Sequence, residues 1–269
     1  MPELPEVETT VAGLRAVLED APLTLVEPRR ADMRFPFPAD LRQRLTGATV
    51  TGLGRRAKYG LIETDRGDTM IFHLGMSGRW RIDPSEIGKH DHLIVETPRH
   101  RLALHDPRRF GFVHLVESAA IDAYPAFAAL GPEPLGDGLT AEYLAQALKG
   151  RVAPIKAMLL DQRIVAGLGN IYVCEALNIA GISPTREAGK VSKPGLRKLV
   201  DAIRSVLRAA ILAGGSTLRD YARPDGELGY FAKDWRVYGR EGEPCPCGGT
   251  VRRRIDSGRS TFYCPSCQK

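Results

Sequence analysis

At the start of the chain, apolar positions recur at three- and four-residue steps: Leu4, Val7, Val11, Leu14 and Leu18. That spacing lays one apolar stripe along a cylinder and predicts an amphipathic helix. From about Leu23 to Glu117 the pattern changes. Ala48-Thr49-Val50, Gly60-Leu61-Ile62-Glu63, Thr69-Met70-Ile71-Phe72-His73, Leu93-Ile94-Val95-Glu96 and Leu102-Ala103-Leu104 are short and β-rich. Asp65-Arg66-Gly67-Asp68 and Thr97-Pro98-Arg99 separate them as hairpin-type turns. Many short strands at this spacing predict an antiparallel sandwich or barrel.

The composition shifts to Gly and Pro around Leu130 to Gly138, which places a linker at 132–140 after a first domain of residues 1–131. Beyond it, Ala141 to Leu148, Pro154 to Leu160, Ile171 to Ile179 and Leu196 to Leu212 show helical spacing. A helical domain is expected over 141–235. A Gly-rich stretch then leads to a cysteine-bearing tail, 236–269. No internal repeat or low-complexity segment is present.

At 269 residues, with 43% hydrophobic and 26% charged, the chain has room for two cores. It has no run of membrane-spanning length, and its acidic start lacks the basic and apolar regions of a signal peptide, so a cytoplasmic location is expected. The net charge of +6 is unevenly spread. Residues 151–269 hold 20 Lys+Arg against 11 Asp+Glu, a balance of +9; residues 1–150 hold 18 against 21, a balance of −3. A polyanion such as nucleic acid suits the basic half, and a solubilising surface fits the same charge.

Four of the five cysteines lie in the tail, as Cys245-Pro246-Cys247 and Cys264-Pro265-Ser266-Cys267. Paired cysteines at this separation read as one tetrahedral zinc site pinning a β-hairpin. Four cysteines would fill the coordination, which makes the metal structural. The first pair has one intervening residue rather than the usual two or more, which alters its tight turn. Cys174 lies on a helical pattern away from the cluster and reads as a small buried hydrophobe. Between the pairs, Arg252, Arg253, Arg254 and Arg259 offer guanidinium groups suited to phosphate. Gly167-Leu168-Gly169-Asn170 precedes a helix, where Asn170 is an N-cap candidate and the glycines would let a phosphate approach.

Pro2 carries the sharpest chemistry. Once the initiator Met1 is trimmed, it is a free secondary amine, able to attack an electrophilic carbon and form an iminium. An α-amino group titrates near pH ~8, and a helix N-terminus disfavours its ammonium form. Proline and acids such as Glu3 and Glu6 at a helix start are also ordinary capping chemistry, so both readings stand on these residues alone.

Taken together, Pro2-Glu3-Leu4-Pro5-Glu6-Val7-Glu8-Thr9, Arg55-Arg56-Ala57-Lys58-Tyr59, His73-Leu74-Gly75-Met76-Ser77-Gly78, Asp106-Pro107-Arg108-Arg109-Phe110-Gly111, Gly167 to Tyr172 and Gly258 to Cys264 resemble the bacterial formamidopyrimidine-DNA glycosylases, in family order from residue 2 to the C-terminus. The resemblance implies an α+β protein: an N-terminal helix plus antiparallel β-sandwich, then a helical domain with a helix-two-turn-helix motif and a zinc hairpin. It also implies a bacterial, nucleoid-associated, monomeric repair enzyme, with double-stranded DNA carrying oxidised purines in the cleft between the domains.

By the same resemblance, Pro2 is the nucleophile at sugar C1′, Glu3 the acid/base, Glu6 a support of that site, and Lys58 the group holding the flanking phosphate. Met76, Arg108 and Phe110 would fill the void left by a flipped base. Asn170, Arg259, Lys156 and His73 would line the phosphates, and Gly215 to Tyr230 would close over the base. The enzyme would excise 8-oxoguanine and ring-opened purines and then cleave the strand, with one Zn2+ as its cofactor. The sister glycosylase for oxidised pyrimidines shares the Pro-Glu start, but Leu4-Pro5-Glu6 and Arg108-Arg109-Phe110 favour the purine enzyme. A non-catalytic zinc-hairpin DNA-binding module is the rival from another class.

Overall fold

Ten strands and seven α-helices form in two separate units of the computed structural model, which describes residues 2–216 and 231–269. The first unit comprises, of the described residues, 2–128 and 213–216; the second comprises 129–212 and 231–269. The expected α+β class is what the structure shows, with antiparallel sheets, an N-terminal helix, a helical region and a cysteine cluster.

In the first unit, α1 (Leu4–Leu18) buries the predicted stripe of Leu4, Val7, Val11, Leu14 and Leu18. Two four-stranded antiparallel sheets share its core. One has the order β1 (Leu25–Pro28), β6 (Asp91–Glu96), β7 (Arg101–His105), β5 (Arg79–Ile82). The other has the order β2 (Val50–Arg56), β3 (Tyr59–Thr64), β4 (Asp68–His73), β8 (Phe112–Glu117). Phe72 of β4 meets Trp80 of β5 edge-on at 5.7 Å, joining the two sheets. Gly60 makes this possible: a Cβ there would lie 2.0 Å from the Phe72 ring.

β1, β5 and β8 are absent from the sequence reading. All three are edge strands, where one side of the ladder is unpaired and polar residues or a proline are tolerated. Accordingly, β1 ends on Pro28 and β5 alternates arginine with Trp80 and Ile82. A short helix, α2 (Leu41–Leu45), adds Leu41 and Leu45 to the core, and α3 (Pro125–Ala128) follows the sheets.

The second unit contains α4 (Ala141–Leu148), α5 (Ile155–Leu160), α6 (Asn170–Ala180) and α7 (Lys193–Leu212). Residues Ile171 through Asn178 of α6 are all buried, so this helix is surrounded on every face. It ends on Gly181 at φ +70, the left-handed conformation common after a last helical turn. Gln162 organises the α5–α6 connection. Its Nε2 donates to the carbonyls of Leu160 and Leu168, and its Oε1 accepts the Gly167 N–H at 2.9 Å. The tail forms a hairpin of β9 (Arg252–Asp256) and β10 (Arg259–Tyr263). Ser257 and Gly258 join them with φ +49 and +75, the paired positive values a two-residue turn favours.

Candidate functional site

Pro2 and Glu3 are buried immediately before α1. Glu3 is the N-cap residue in extended conformation, and its backbone N–H donates to Glu6 Oε2 at 2.8 Å. The other oxygen of Glu6 accepts the N–H of Ser216 at 2.8 Å. Gly215, at φ +81, passes so near that an added Cβ would lie 3.3 Å from the Glu6 side chain. Capping chemistry is therefore present, and it anchors Glu3 beside the returning strand at Ser216. The expected base-covering segment, Gly215 to Tyr230, lies outside the described residues except for Gly215 and Ser216.

Lys58 sits at the two-residue tip between β2 and β3, 9% exposed. Its neighbour Ala57 has φ +52, a conformation that favours glycine. Arg55 holds this tip, its Nη1 donating to the Ala57 carbonyl at 2.9 Å and its Nε to Glu8 of α1 at 2.7 Å. Lys58 also acts on His73. Burial first, then the positive charges of Lys58 and Arg34, push the His73 imidazolium down to about pKa 4. The neutral ring accepts the Gly75 N–H on Nδ1 at 3.0 Å, which leaves its proton on Nε2. Phe112 stacks on it at 5.2 Å.

Met76 and Phe110 project from adjoining loops and are 38% and 43% exposed, unusual for large apolar side chains. Their loops touch backbone to backbone because Gly75, at φ +63, has no side chain; a Cβ there would lie 2.3 Å from the Phe110 carbonyl carbon. The Arg108 guanidinium lies 4.9 Å from the Phe110 ring centroid. Sequence reading gave no role to Asp106, which is fully buried beneath both loops. Its Oδ1 accepts Ser77 Oγ at 2.7 Å and the Arg108 N–H at 3.3 Å, while Oδ2 accepts the Gly111 N–H at 2.8 Å. The Asp-Pro turn was the available signal. Arg109, between the two exposed residues, is held at φ +56.

In the second unit, three expected residues converge on β10. Lys156 Nζ donates to Thr261 Oγ1 at 2.6 Å and lies 3.3 Å from the Ser260 carbonyl. Asn170 Nδ2 donates to that same carbonyl at 2.8 Å. Arg259 precedes Ser260, is exposed, and makes no ion pair among the described residues. Two details differ from the sequence reading. Gly169, rather than Asn170, is the N-cap of α6; Asn170 begins the helix and its amide is engaged by the hairpin. Lys156 is only 3% exposed, and burial lowers its pKa, so its ammonium faces the hairpin rather than open solvent.

The four tail cysteines bring their sulfurs within 4.8 Å of one another. The Cys245–Cys267 and Cys247–Cys264 sulfur separations are 3.9 and 3.6 Å. A tetrahedral zinc site with Zn–S bonds of about 2.3 Å requires edges of about 3.8 Å, so the donor set fits. The short first pair closes because Gly248 takes φ +86 and Gly249 is bare: a Cβ on Gly249 would lie 2.8 Å from Cys264 Sγ. Burial raises the Cys264 thiol pKa, but the backbone of Cys267 and Ser266 and the neighbouring Cys247 and Cys245 thiols together bring it down to about 6. Cys174 is buried, as expected, but it is not remote. It packs in the same apolar cluster as Cys245, Cys264, Val237 and Val251, because α6 runs beneath the hairpin.

Residues 1–113 match the model of the formamidopyrimidine-DNA glycosylase N-terminal domain, and residues 130–222 that of the formamidopyrimidine-DNA glycosylase H2TH domain. The formamidopyrimidine-DNA glycosylases of Rhizorhabdus wittichii and Novosphingobium aromaticivorans are 75% and 68% identical, each over 100% of both chains. Among solved structures, Lactococcus lactis Fpg in complex with abasic-site DNA is similar at TM-score 0.93 and 34% identity over 100% of both chains. Thermus thermophilus MutM (Fpg) is similar at TM-score 0.90 and 40% identity, over 99% of this chain and 98% of that one. No described helix is long and apolar enough to cross a membrane. The chain belongs to the formamidopyrimidine-DNA glycosylase family, whose members are DNA-repair glycosylases.

Proposed function

We propose that the chain is a bifunctional DNA glycosylase and abasic-site lyase that excises 8-oxoguanine and formamidopyrimidine lesions from double-stranded DNA. The observation that carries this reading is the Pro2-Glu3 pair at the α1 N-terminus, with Glu3 tied to Glu6 and Glu6 to Ser216. With Met1 removed, the Pro2 nitrogen attacks C1′, the glycosidic bond breaks, and the base departs with the bonding pair and a proton. Glu3 protonates O4′ as the ring opens, leaving a cationic iminium. The iminium acidifies C2′, and loss of that proton expels the 3′ phosphate; a second elimination expels the 5′ phosphate, and water releases Pro2.

Lys58 and His73 Nε2 hold phosphate beside the reacting sugar. Met76 and Phe110 supply apolar surface for the gap left by the extruded base, and Arg108 supplies donors to the orphaned cytosine. Arg259 meets phosphate, while Asn170 and Lys156 hold the strand that carries it. The cysteines hold one structural zinc ion, which pins the hairpin. A mutant Lactococcus lactis Fpg has been crystallised with Fapy-dG containing DNA, and the wild-type protein with an oxidised pyrimidine containing DNA, so lesion choice is decided by comparing substrates.

Sodium borohydride with lesion DNA should trap a covalent adduct with the protein. Trapping should disappear in Pro2→Gly and in protein that retains Met1, as established by intact mass. Binding without trapping would instead identify a non-catalytic module, and faster excision from thymine glycol than from 8-oxoguanine duplexes would identify the pyrimidine enzyme.

A further inference from the structure

Asn178, on the last full turn of α6, is 4% exposed and lies against the cysteine cluster. Its Nδ2 has three acceptors in reach that share its two hydrogens: Cys245 Sγ and Cys267 Sγ at 3.7 Å each, and Gln268 Oε1 at 3.1 Å. The orientation of the amide is set from its other side, where Arg236 Nε donates to Oδ1 at 3.0 Å. A guanidinium has no acceptor, so the oxygen must face Arg236 and the amide hydrogens must face the sulfurs. Gln268 is fixed in turn, its Oε1 accepting the Cys264 N–H at 2.8 Å and its Nε2 donating to the Ile182 carbonyl at 2.9 Å.

Of the other two sulfurs, Cys247 draws a donor from the backbone, the N–H of Gly249 at 3.5 Å. Cys245 is followed by Pro246, which has no N–H to offer, in a pair one residue shorter than usual. Four thiolates around a divalent ion leave a net negative charge, and where they are buried that charge needs donors.

We propose that Asn178 is a positioning residue of the metal centre: its amide donates to the Cys245 and Cys267 thiolates and docks the short Cys-Pro-Cys turn on α6. The inference rests on reading the four cysteines as a zinc site. Outer hydrogen-bond partners of this kind typically change metal affinity about 10–100-fold when removed.

The test uses the full chain with zinc, by competition against a chromogenic chelator, and with cobalt(II), whose sulfur-to-metal charge-transfer band reports N–H···S bonding. Asn178→Leu, similar in volume but without donors, should bind zinc about 10–100-fold more weakly and move the cobalt band to lower energy. Asn178→Asp, equal in shape and still able to accept from Arg236, removes the same donors and should also weaken zinc, which covers the case of Asn178→Leu failing to fold. Wild-type affinity and an unmoved band in the folded variants would overturn the role of Asn178. A wild-type protein that takes up neither metal would overturn the zinc reading itself.

Discussion

The carboxylate of Glu6 accepts the backbone N–H of Ser216, 210 residues away in sequence, at 2.8 Å, while its second oxygen holds the N–H of Glu3. One buried side chain thus joins the start of α1 to the point where the chain returns from the second unit. Glu6→Gln keeps the shape but turns one acceptor into a donor that faces an N–H. A hydrogen bond to a charged group contributes about 1.5–3 kcal/mol, and a loss of that size is expected in urea unfolding, together with slower single-turnover excision. An unchanged midpoint would mean the link carries no stability.

Asp106 gathers three donors from two loops. Asp106→Asn leaves at least one of them facing an amide hydrogen, with an expected cost of about 2–3 kcal/mol. Because Ser77 and Arg108 lie on either side of it, affinity for an abasic-analogue duplex should fall with stability. Retention of both would show that the loops are held by backbone contact at Gly75 alone.

Met76 and Phe110 offer the opposite signature. Both are more than one-third exposed, so truncating either to alanine should shift stability by no more than about 0.5 kcal/mol. Burying such side chains in a base stack gains about 1.5–3 kcal/mol, so lesion binding should weaken roughly 10–100-fold. A large stability loss with unchanged binding would assign them to packing.

His73 links stability to pH. Its pKa falls from 6.5 in the unfolded chain to about 4 when folded, through burial first and then the charges of Lys58 and Arg34. The unfolded state therefore binds more protons between these values, and the folded state loses stability as pH drops from about 6.5 towards about 4. The limiting loss is about 3 kcal/mol. His73→Gln should flatten that part of the pH profile in urea unfolding; a profile identical to wild type would contradict the assignment.

Arg259 and Lys156 separate by salt dependence. Each phosphate neutralised contributes about 0.9 to the slope of log affinity against log salt. Arg259→Gln should lower the slope by about that amount. Lys156→Met, which removes the donor on Thr261, should weaken binding with the slope unchanged. A reduced slope in Lys156→Met would assign it a direct phosphate contact.

The sequence by itself determined the elements whose apolar spacing is regular: α1, the helices α4 to α7 of the second unit, and the central strands β3, β4, β6 and β7. It also marked Pro2, Glu3 and the four cysteines, because a proline-acid start before an apolar stripe and paired thiols are features that residue type and spacing can announce. Edge strands β1, β5 and β8 escaped it, since an edge is defined by the absence of a neighbour. Only the tertiary structure decided that Ser216 would reach Glu6, that Asp106 would underlie both exposed loops, and that Cys174 and Asn178 would lie beside the cysteine cluster. These depend on contacts between positions far apart in the chain, and no local periodicity encodes which buried donor will meet which acceptor.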